Sequence, residues 1–382
     1  MGFYSHIKSV TLPSTITKIG TAAFAGCDSL HTMHMSDNIE TIGDSAFYEC
    51  SLLKNINLPK QLKKIGNSAF EWCRSVGDIV FPSNLKEIGN SAFSCCDSLK
   101  SAYLPDGLET LGEGAFGGCG LLKSVRIPGS LKKIEEASFE FCLSLSSLTI
   151  EEGVEEIGHF VFWLDSDLKD VVMPQSVKKI EDCSFAGCIW RPCDFVEDDV
   201  FYVITGDNTV KAVSTSKQGD VVIPNEIMHH GKVYHVTELG FAFCHYNNNI
   251  TSIVLPEDIT YIPDWSFRNC ENLSKVEIPQ NVTKIGMWVF EKCNLEEISL
   301  PDKVEEIGFD FMCRNGKSIE HIDLPMGLKK LCIGAFEEFG VKSFYIPATL
   351  DVIGQSDFCE ATSLIIETNR NYFCNFGGTV YQ

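Results

Sequence analysis

The sequence predicts an α/β repeat solenoid, in which stacked units of 23 residues each contribute a short parallel strand. Three observations carry that expectation. Phenylalanine stands at positions 24, 47, 70, 93, 116, 139, 162 and 185, a step of 23 residues held without interruption. A proline column (Pro13, Pro59, Pro82, Pro105, Pro128, Pro174, with Ser36 and Glu151 in two slots) and an Ile/Leu column (Ile19, Ile42, Ile65, Ile88, Leu111, Ile134, Ile157, Ile180) keep the same step. Segments such as Leu30-x-x-Met33-x-Met35 and Leu122-x-x-Val125-x-Ile127 alternate apolar and variable residues before the proline slot. A unit this small cannot bury its own apolar face, so it stacks on its neighbours and shares one core with them.

Each element of the unit follows from local chemistry. Alternation before proline predicts a short strand with one buried face, and proline ends its ladder because it has no N–H to donate. The stretch Gly66-x-x-Ala69-Phe70-x-x-Cys73 is too short for a stable α-helix and predicts one helical or 3₁₀ turn. Gly66 and its equivalents are expected to take a backbone conformation closed to other residues, although Glu135 and Glu181 stand in the same column. With parallel strands about 4.8 Å apart, about fourteen units make a curved rod of about 65–70 Å.

The cysteines obey the same period. Of the 17 in the chain, Cys27, Cys50, Cys73, Cys96, Cys119, Cys142 and Cys188 all fall three residues after the repeat phenylalanine. A thiol there serves as a small, nearly apolar filler that donates weakly to a backbone carbonyl. Free thiols are expected: parallel side chains in register need not meet at the torsion a disulfide requires, and no C-x-x-C pair recurs to hold zinc.

Between Cys188 and Leu239 the period breaks. Asp194 to Val210 reads as strands joined by turn residues, and His229-His230-Gly231-Lys232 marks another turn before Val236. Three segments follow: repeat block 1–188, a β-hairpin insertion 189–235, and a second block 236–382 with a terminal hairpin cap over Asn369–Tyr381. In the second block Phe243, Phe267, Phe290, Phe311, Phe336 and Phe358 are spaced by 21 to 25 residues, and the cysteine slot becomes Arg314, Phe339 and Ala361. Met1 to His6 lacks a basic region followed by an apolar stretch, and the first unit starts partway through. That reads as the trimmed start of an exported chain, with a cytoplasmic protein as the alternative.

The pattern (Ile/Leu)-Pro-x-x-(Leu/Val)-x-x-Ile-Gly-x-x-Ala-Phe-x-x-Cys-x-x-Leu resembles the BspA-like class of leucine-rich repeats, found in bacterial surface proteins and in some parasitic protists. The resemblance covers nearly the whole chain. It implies a right-handed superhelix, a non-enzymatic role, and an extracellular or cell-surface location. Adhesin-like binding of extracellular-matrix or neighbouring-cell proteins, fibronectin and fibrinogen among them, is likewise what the resemblance implies. An intracellular protein-interaction scaffold is the alternative reading.

Net charge is −21, which argues against nucleic acid and anionic lipid as partners. No run approaches the eighteen or more apolar residues of a membrane span. Glu109, Lys132, Glu155 and Lys178 alternate in sign in consecutive units and predict a solvated charge ladder. No dinucleotide, Walker A, nucleophile-elbow or HExxH pattern is present, so no catalytic residue, cofactor or metal ligand is assigned. His229, His230 and His235 lie in a loop without a neighbouring cysteine or carboxylate cluster. The chain is expected to act as a monomer. Binding is expected on the exposed strand face, sampled two residues before each proline slot by His34, Asn57, Tyr103 and Arg126. This column varies in chemistry while the core columns stay fixed, and Tyr beside Arg is typical of protein-binding hot spots. Trp72, Phe141 and Trp163, on the turn side, are expected to pack between turns.

Overall fold

In the computed structural model, the described residues are 6–181, 183–332, 334–338, 340–350, 363–366 and 379–381. They belong to two compact units, Met1–Trp190 and Arg191–Gln382.

In the first unit, strands before the proline slot form two parallel sheets: Ser9–Thr11, Thr32–His34 and Asn55–Ile56, then Ser101–Tyr103, Ser124–Ile127, Ser147–Ile150 and Asp170–Val172. The register advances one unit per strand, so Val125 faces Leu148 and Leu148 faces Val171. Alternation puts Met33, Ala102, Val125 and Leu148 inward. Residues 78–81 form no strand. There Phe81 fills the slot before proline, and its ring meets Phe93 and Phe116 edge-on at 5.6 and 6.1 Å. On the far side of the core, two-residue strands such as Lys18–Ile19, Thr41–Ile42 and Lys64–Ile65 make a second set of parallel ladders, isoleucine inward and the polar residue outward.

No helix occurs among the described residues, so the α/β expectation gives way to a parallel-strand β-solenoid. The reason lies in the segment expected to form a helical turn. Residues two before and two after the phenylalanine are left-handed: Ser45 and Glu49 at φ 52° and 58°, Ser68 and Trp72 at 51° and 63°. Alternate N–H groups therefore point along the stack. Ser45, Phe47 and Glu49 donate to the carbonyls of Asn67, Ala69 and Glu71 at 2.7–2.9 Å, while Ala46, Tyr48 and Cys50 close local turns. A left-handed non-glycine residue costs about 1–2 kcal/mol, and the ladder between units offsets it. Glycine takes these positions at 26, 114, 118 and 187.

The Gly66 column is needed for a different reason than the one expected. Gly66 does not have a positive φ; a Cβ there would lie 2.6 Å from the Asp44 nitrogen and 2.7 Å from the Gly43 carbonyl carbon. At Gly66 close approach of successive backbones, not left-handed geometry, leaves no room for a side chain, whereas the same column carries Glu135 and Glu181.

The phenylalanines make a continuous stack. From Phe24 to Phe162 successive rings lie 5.0–5.7 Å apart and within 9° of parallel, close to the strand spacing.

The second unit opens with a mixed five-stranded sheet. Phe195–Glu197, Val200–Ile204 and Thr209–Thr215 run antiparallel in turn. Thr209–Thr215 then pairs parallel with Lys232–Leu239, which pairs antiparallel with Glu226–His229. The tight turn between the last two uses His230 and Gly231 at φ 47° and 78°, the geometry favoured for two-residue hairpins. Phe195, Tyr202, Val210 and Val236 share one apolar cluster with the repeats that follow, as far as Leu350. Parallel ladders resume with Gly219–Val222, Ile250–Val254 and Lys275–Glu277.

Irregular spacing in this unit has a visible effect on packing. Phe267 and Phe290, 23 residues apart, stack at 7°. Phe243–Phe267, Phe290–Phe311 and Phe311–Phe336, at 24, 21 and 25 residues, meet edge-on at 75–88°. Phe339, Phe358, Ala361 and most of the expected terminal hairpin lie outside the described residues; the described strand Thr379–Tyr381 runs parallel to Ser363–Ile366.

Candidate ligand-binding face

Because the strand face alternates, every second residue of each strand points outward, and the outward column two residues before the proline slot holds the four candidates. His34 and Asn57 are exposed. His34 lies opposite Thr11 in the first sheet. Tyr103 and Arg126 are partners across adjacent strands of the next sheet. The structure thus brings Tyr103 and Arg126 together and leaves His34 and Asn57 on other rungs.

Tyr103 is 59 % exposed, with its hydroxyl 3.3 Å from Ser124 Oγ. Arg126 is only half-exposed and fully engaged. Nη2 reaches Asp106 at 2.5 Å and Glu151 at 2.6 Å, and Nη1 donates to the Leu104 carbonyl at 3.1 Å. The Asp106 hydrogen bond is the main cause of a raised guanidinium pKa. Arg126 therefore braces neighbouring rungs rather than presenting a free cation. Sequence reasoning missed this because Asp106 and Glu151 lie 20 and 25 residues away, off the repeat step; Glu151 in a proline slot was the available signal. What the column does present is apolar area: Val80 is 85 % exposed and Val172 59 %.

The turn side is built differently. Phe141 and Trp163 meet at 4.8 Å and Phe160 and Trp163 at 5.4 Å, while the Arg74 guanidinium lies 5.0 Å over Trp72. Phe141 remains 38 % exposed. On the opposite sheet the acid–base ladder runs through Glu40–Lys63, Lys86–Glu109 and Lys132–Glu155–Lys178 at 2.8–3.9 Å, all exposed and individually weak.

The thiols behave as buried donors. Cys73, Cys96, Cys119 and Cys142 each donate to the carbonyl of the phenylalanine 26 residues earlier, at 3.1–3.4 Å. Cys27, Cys50, Cys73, Cys96, Cys119 and Cys142 of the ladder are free thiols. Burial pushes the Cys50 and Cys270 thiols up to about 12, which makes them poor nucleophiles.

Asp165 occupies the same slot. It accepts from the Cys142 N–H at 2.7 Å and is fully buried, and its second oxygen has no partner among the described residues. Burial raises its carboxyl well above the usual carboxylate range. In the second unit, buried His245 packs against Tyr246 and Trp265, and burial followed by the Arg268 and Arg191 charges lowers its pKa to about 2.

His229 and His235 are occupied by carboxylates, Glu197 at 2.7 Å and Glu226 at 3.3 Å. Among the described residues, no group of three histidines, cysteines or carboxylates is placed to hold a metal ion, and no helix is long and apolar enough to cross a membrane.

A family model described as "BspA type Leucine rich repeat region" matches residues 3–119, 86–196 and 240–365. Among solved structures, a leucine-rich cell surface protein from Faecalibacterium prausnitzii is 22 % identical with a TM-score of 0.58, over 95 % of this chain and 89 % of that one. The pneumococcal vaccine antigen PcpA is 17 % identical with a TM-score of 0.51, over 95 % and 84 %. A leucine-rich repeat protein from Bacteroides ovatus is 24 % identical with a TM-score of 0.49, over 94 % and 92 %. No curated protein matches the chain.

Proposed function

The chain belongs to the BspA-type leucine-rich-repeat family, and from that premise we propose that it is a non-enzymatic, surface-exposed or secreted solenoid that binds proteins of the extracellular matrix or of neighbouring cells. One observation carries the reading: Val80, Tyr103 and Val172 expose large apolar side chains in a single outward column of an otherwise acidic molecule. Leaving such side chains in water gains nothing for folding, and covering them on association stabilises a complex. His34 and Asn57 extend the contact toward the N-terminal rungs, and Arg126 holds the surface in shape. In this reading 23-residue units wind as a right-handed superhelix. Blocks 1–188 and 236–382 supply the repeats, and 189–235 joins them. The protein works as a monomer without cofactor.

The test is a binding panel of immobilised matrix and plasma proteins set against cytoplasmic extract. Saturable binding to a matrix or plasma protein, weakened by Val80→Ser with Tyr103→Ala, supports the reading. Retention of cytoplasmic proteins alone points to an intracellular scaffold instead.

A further inference from the structure

Three residues before each member of that outward column lies a second column: Lys8, His31, Lys54, Gly77, Lys100, Lys123, Ser146 and Lys169. Backbone hydrogen bonds hold it in register from Lys8 to Gly77 and again from Lys100 to Lys169. His31 donates to Lys8 at 2.9 Å, Lys54 to His31 at 3.2 Å, Lys123 to Lys100 at 2.8 Å, Ser146 to Lys123 at 3.0 Å and Lys169 to Ser146 at 3.4 Å. All five lysines are exposed. Lysines on the opposite sheet are paired, Lys63 with Glu40, Lys64 with Glu87 and Lys86 with Glu109. The five of this column form no ion pair among the described residues, although the chain carries a net charge of −21.

The fold does not require lysine here. Equivalent positions of the second unit read Thr251, Ser274, Glu296, Glu320 and Lys342, and there Lys342 pairs with Glu320. A row of unpaired like charges opposes its own assembly, so its presence in the first unit points to a ligand of opposite sign. The next outward column places Ser9, Thr32, Ser101, Ser124 and Ser147 beside the row, with carboxylates only at Asp78 and Asp170.

Spacing selects the kind of polyanion. Lys8, Lys54 and Lys100 stand two rungs apart, about 9.6 Å at about 4.8 Å per rung, close to the length of one disaccharide. An extended acidic peptide repeats its same-face carboxylates every 6.6–6.8 Å or so and falls out of step within two repeats. Phe, Tyr and Trp, on which bases of a single-stranded nucleic acid would stack, are absent from this column. We propose that the lysine row binds a linear sulfated polysaccharide laid along the stack, its anionic groups on the ammonium groups and its hydroxyls on the serine and threonine column. This site lies beside the Val80–Tyr103–Val172 column and meets it where Ser124 Oγ lies 3.3 Å from the Tyr103 hydroxyl.

The experiment uses the full chain with heparin as the probe, measured by calorimetry across a salt series. Replacing Lys54, Lys100 and Lys123 with glutamine should weaken binding at least about tenfold and flatten its salt dependence, since fewer counterions are released. The control triple Lys63→Gln, Lys86→Gln and Lys132→Gln, on the opposite sheet, should change affinity by less than about threefold. Replacing the first three lysines with arginine should preserve binding, which separates loss of charge from loss of folding. Equal loss in both glutamine triples would overturn the proposal. So would no heparin binding at low salt, or tighter binding of a polyglutamate peptide or an oligonucleotide than of heparin.

Discussion

Truncating Phe93 to alanine probes the shared core where it is most regular. The ring is fully buried, stacks on Phe70 at 5.1 Å and Phe116 at 5.3 Å, and receives the edge of Phe81 at 5.6 Å. Removing a buried phenylalanine side chain costs about 3–5 kcal/mol. Three ring–ring contacts, each contributing about 0.5–1.5 kcal/mol beyond area, place this site toward the upper end. Relaxation is limited, because the Phe93 N–H still donates to the Ala115 carbonyl at 2.7 Å and the Cys119 thiol to the Phe93 carbonyl at 3.2 Å. Those bonds hold the rungs apart and leave a cavity. Urea unfolding followed by tryptophan fluorescence, with Trp265 and Trp288 of the second unit replaced by phenylalanine, reports the first unit. With a slope of about 1–3 kcal/mol per molar urea, the midpoint should fall by at least about 1 M. Amide exchange should accelerate at Phe70 and Phe116 as well as at residue 93, because neighbouring units share the core. As a comparison, Phe141→Ala should cost at most about 1 kcal/mol, since that ring is partly exposed. A Phe93→Ala midpoint within about 0.2 M of the parent would refute the reasoning.

Three further outcomes are expected. Thiol titration in denaturant without reductant should find most of the 17 cysteines free, and the native protein should react slowly and mainly at the partly exposed Cys95, Cys183 and Cys193; a denatured count near one would mean extensive disulfide pairing. Asp165 has a raised pKa when folded, so its neutral form is favoured and stability is lost as pH climbs from the unfolded value near 3.8. Asp165→Asn should therefore stabilise the first unit at pH 7 and not at pH 3, and equal effects at both would contradict the assignment. His245 runs the other way. Its folded pKa near 2 lies below the unfolded 6.5, so stability is lost as pH falls below about 6.5, and His245→Gln should flatten that acid slope; an unchanged slope would show that other groups carry it.

Much of the fold was legible because a solenoid writes its contacts at a fixed sequence interval. The phenylalanine stack and the thiol-to-carbonyl bonds both follow from the column in which each residue sits. Spacing also explains where stacking fails, since the edge-on pairs are those whose interval departs from 23. The turn ladder was not legible. Ser45, Ser68 and Trp72 are not residues that announce a left-handed backbone, and their geometry is maintained by carbonyls of the next unit. The Gly66 column looked like a torsional requirement when its cause is backbone crowding between rungs. On the candidate face, the pairing of Tyr103 with Arg126 was legible from the period. The engagement of Arg126 by Asp106 and Glu151 was not, because those contacts depend on side-chain reach across unequal intervals.

The strand face of the first unit is proposed as the protein-binding surface. Its most direct test is the dissociation constant for a matrix or plasma protein captured by the panel, fibronectin and fibrinogen included, measured for the parent and for Val80→Ser with Tyr103→Ala. A loss of at least about 1–2 kcal/mol is expected, the scale of a modest hot spot, with little change in melting temperature and no effect of chelator. Affinity that survives this double substitution but disappears when residues 194–235 are deleted would place the site elsewhere and contradict the claim.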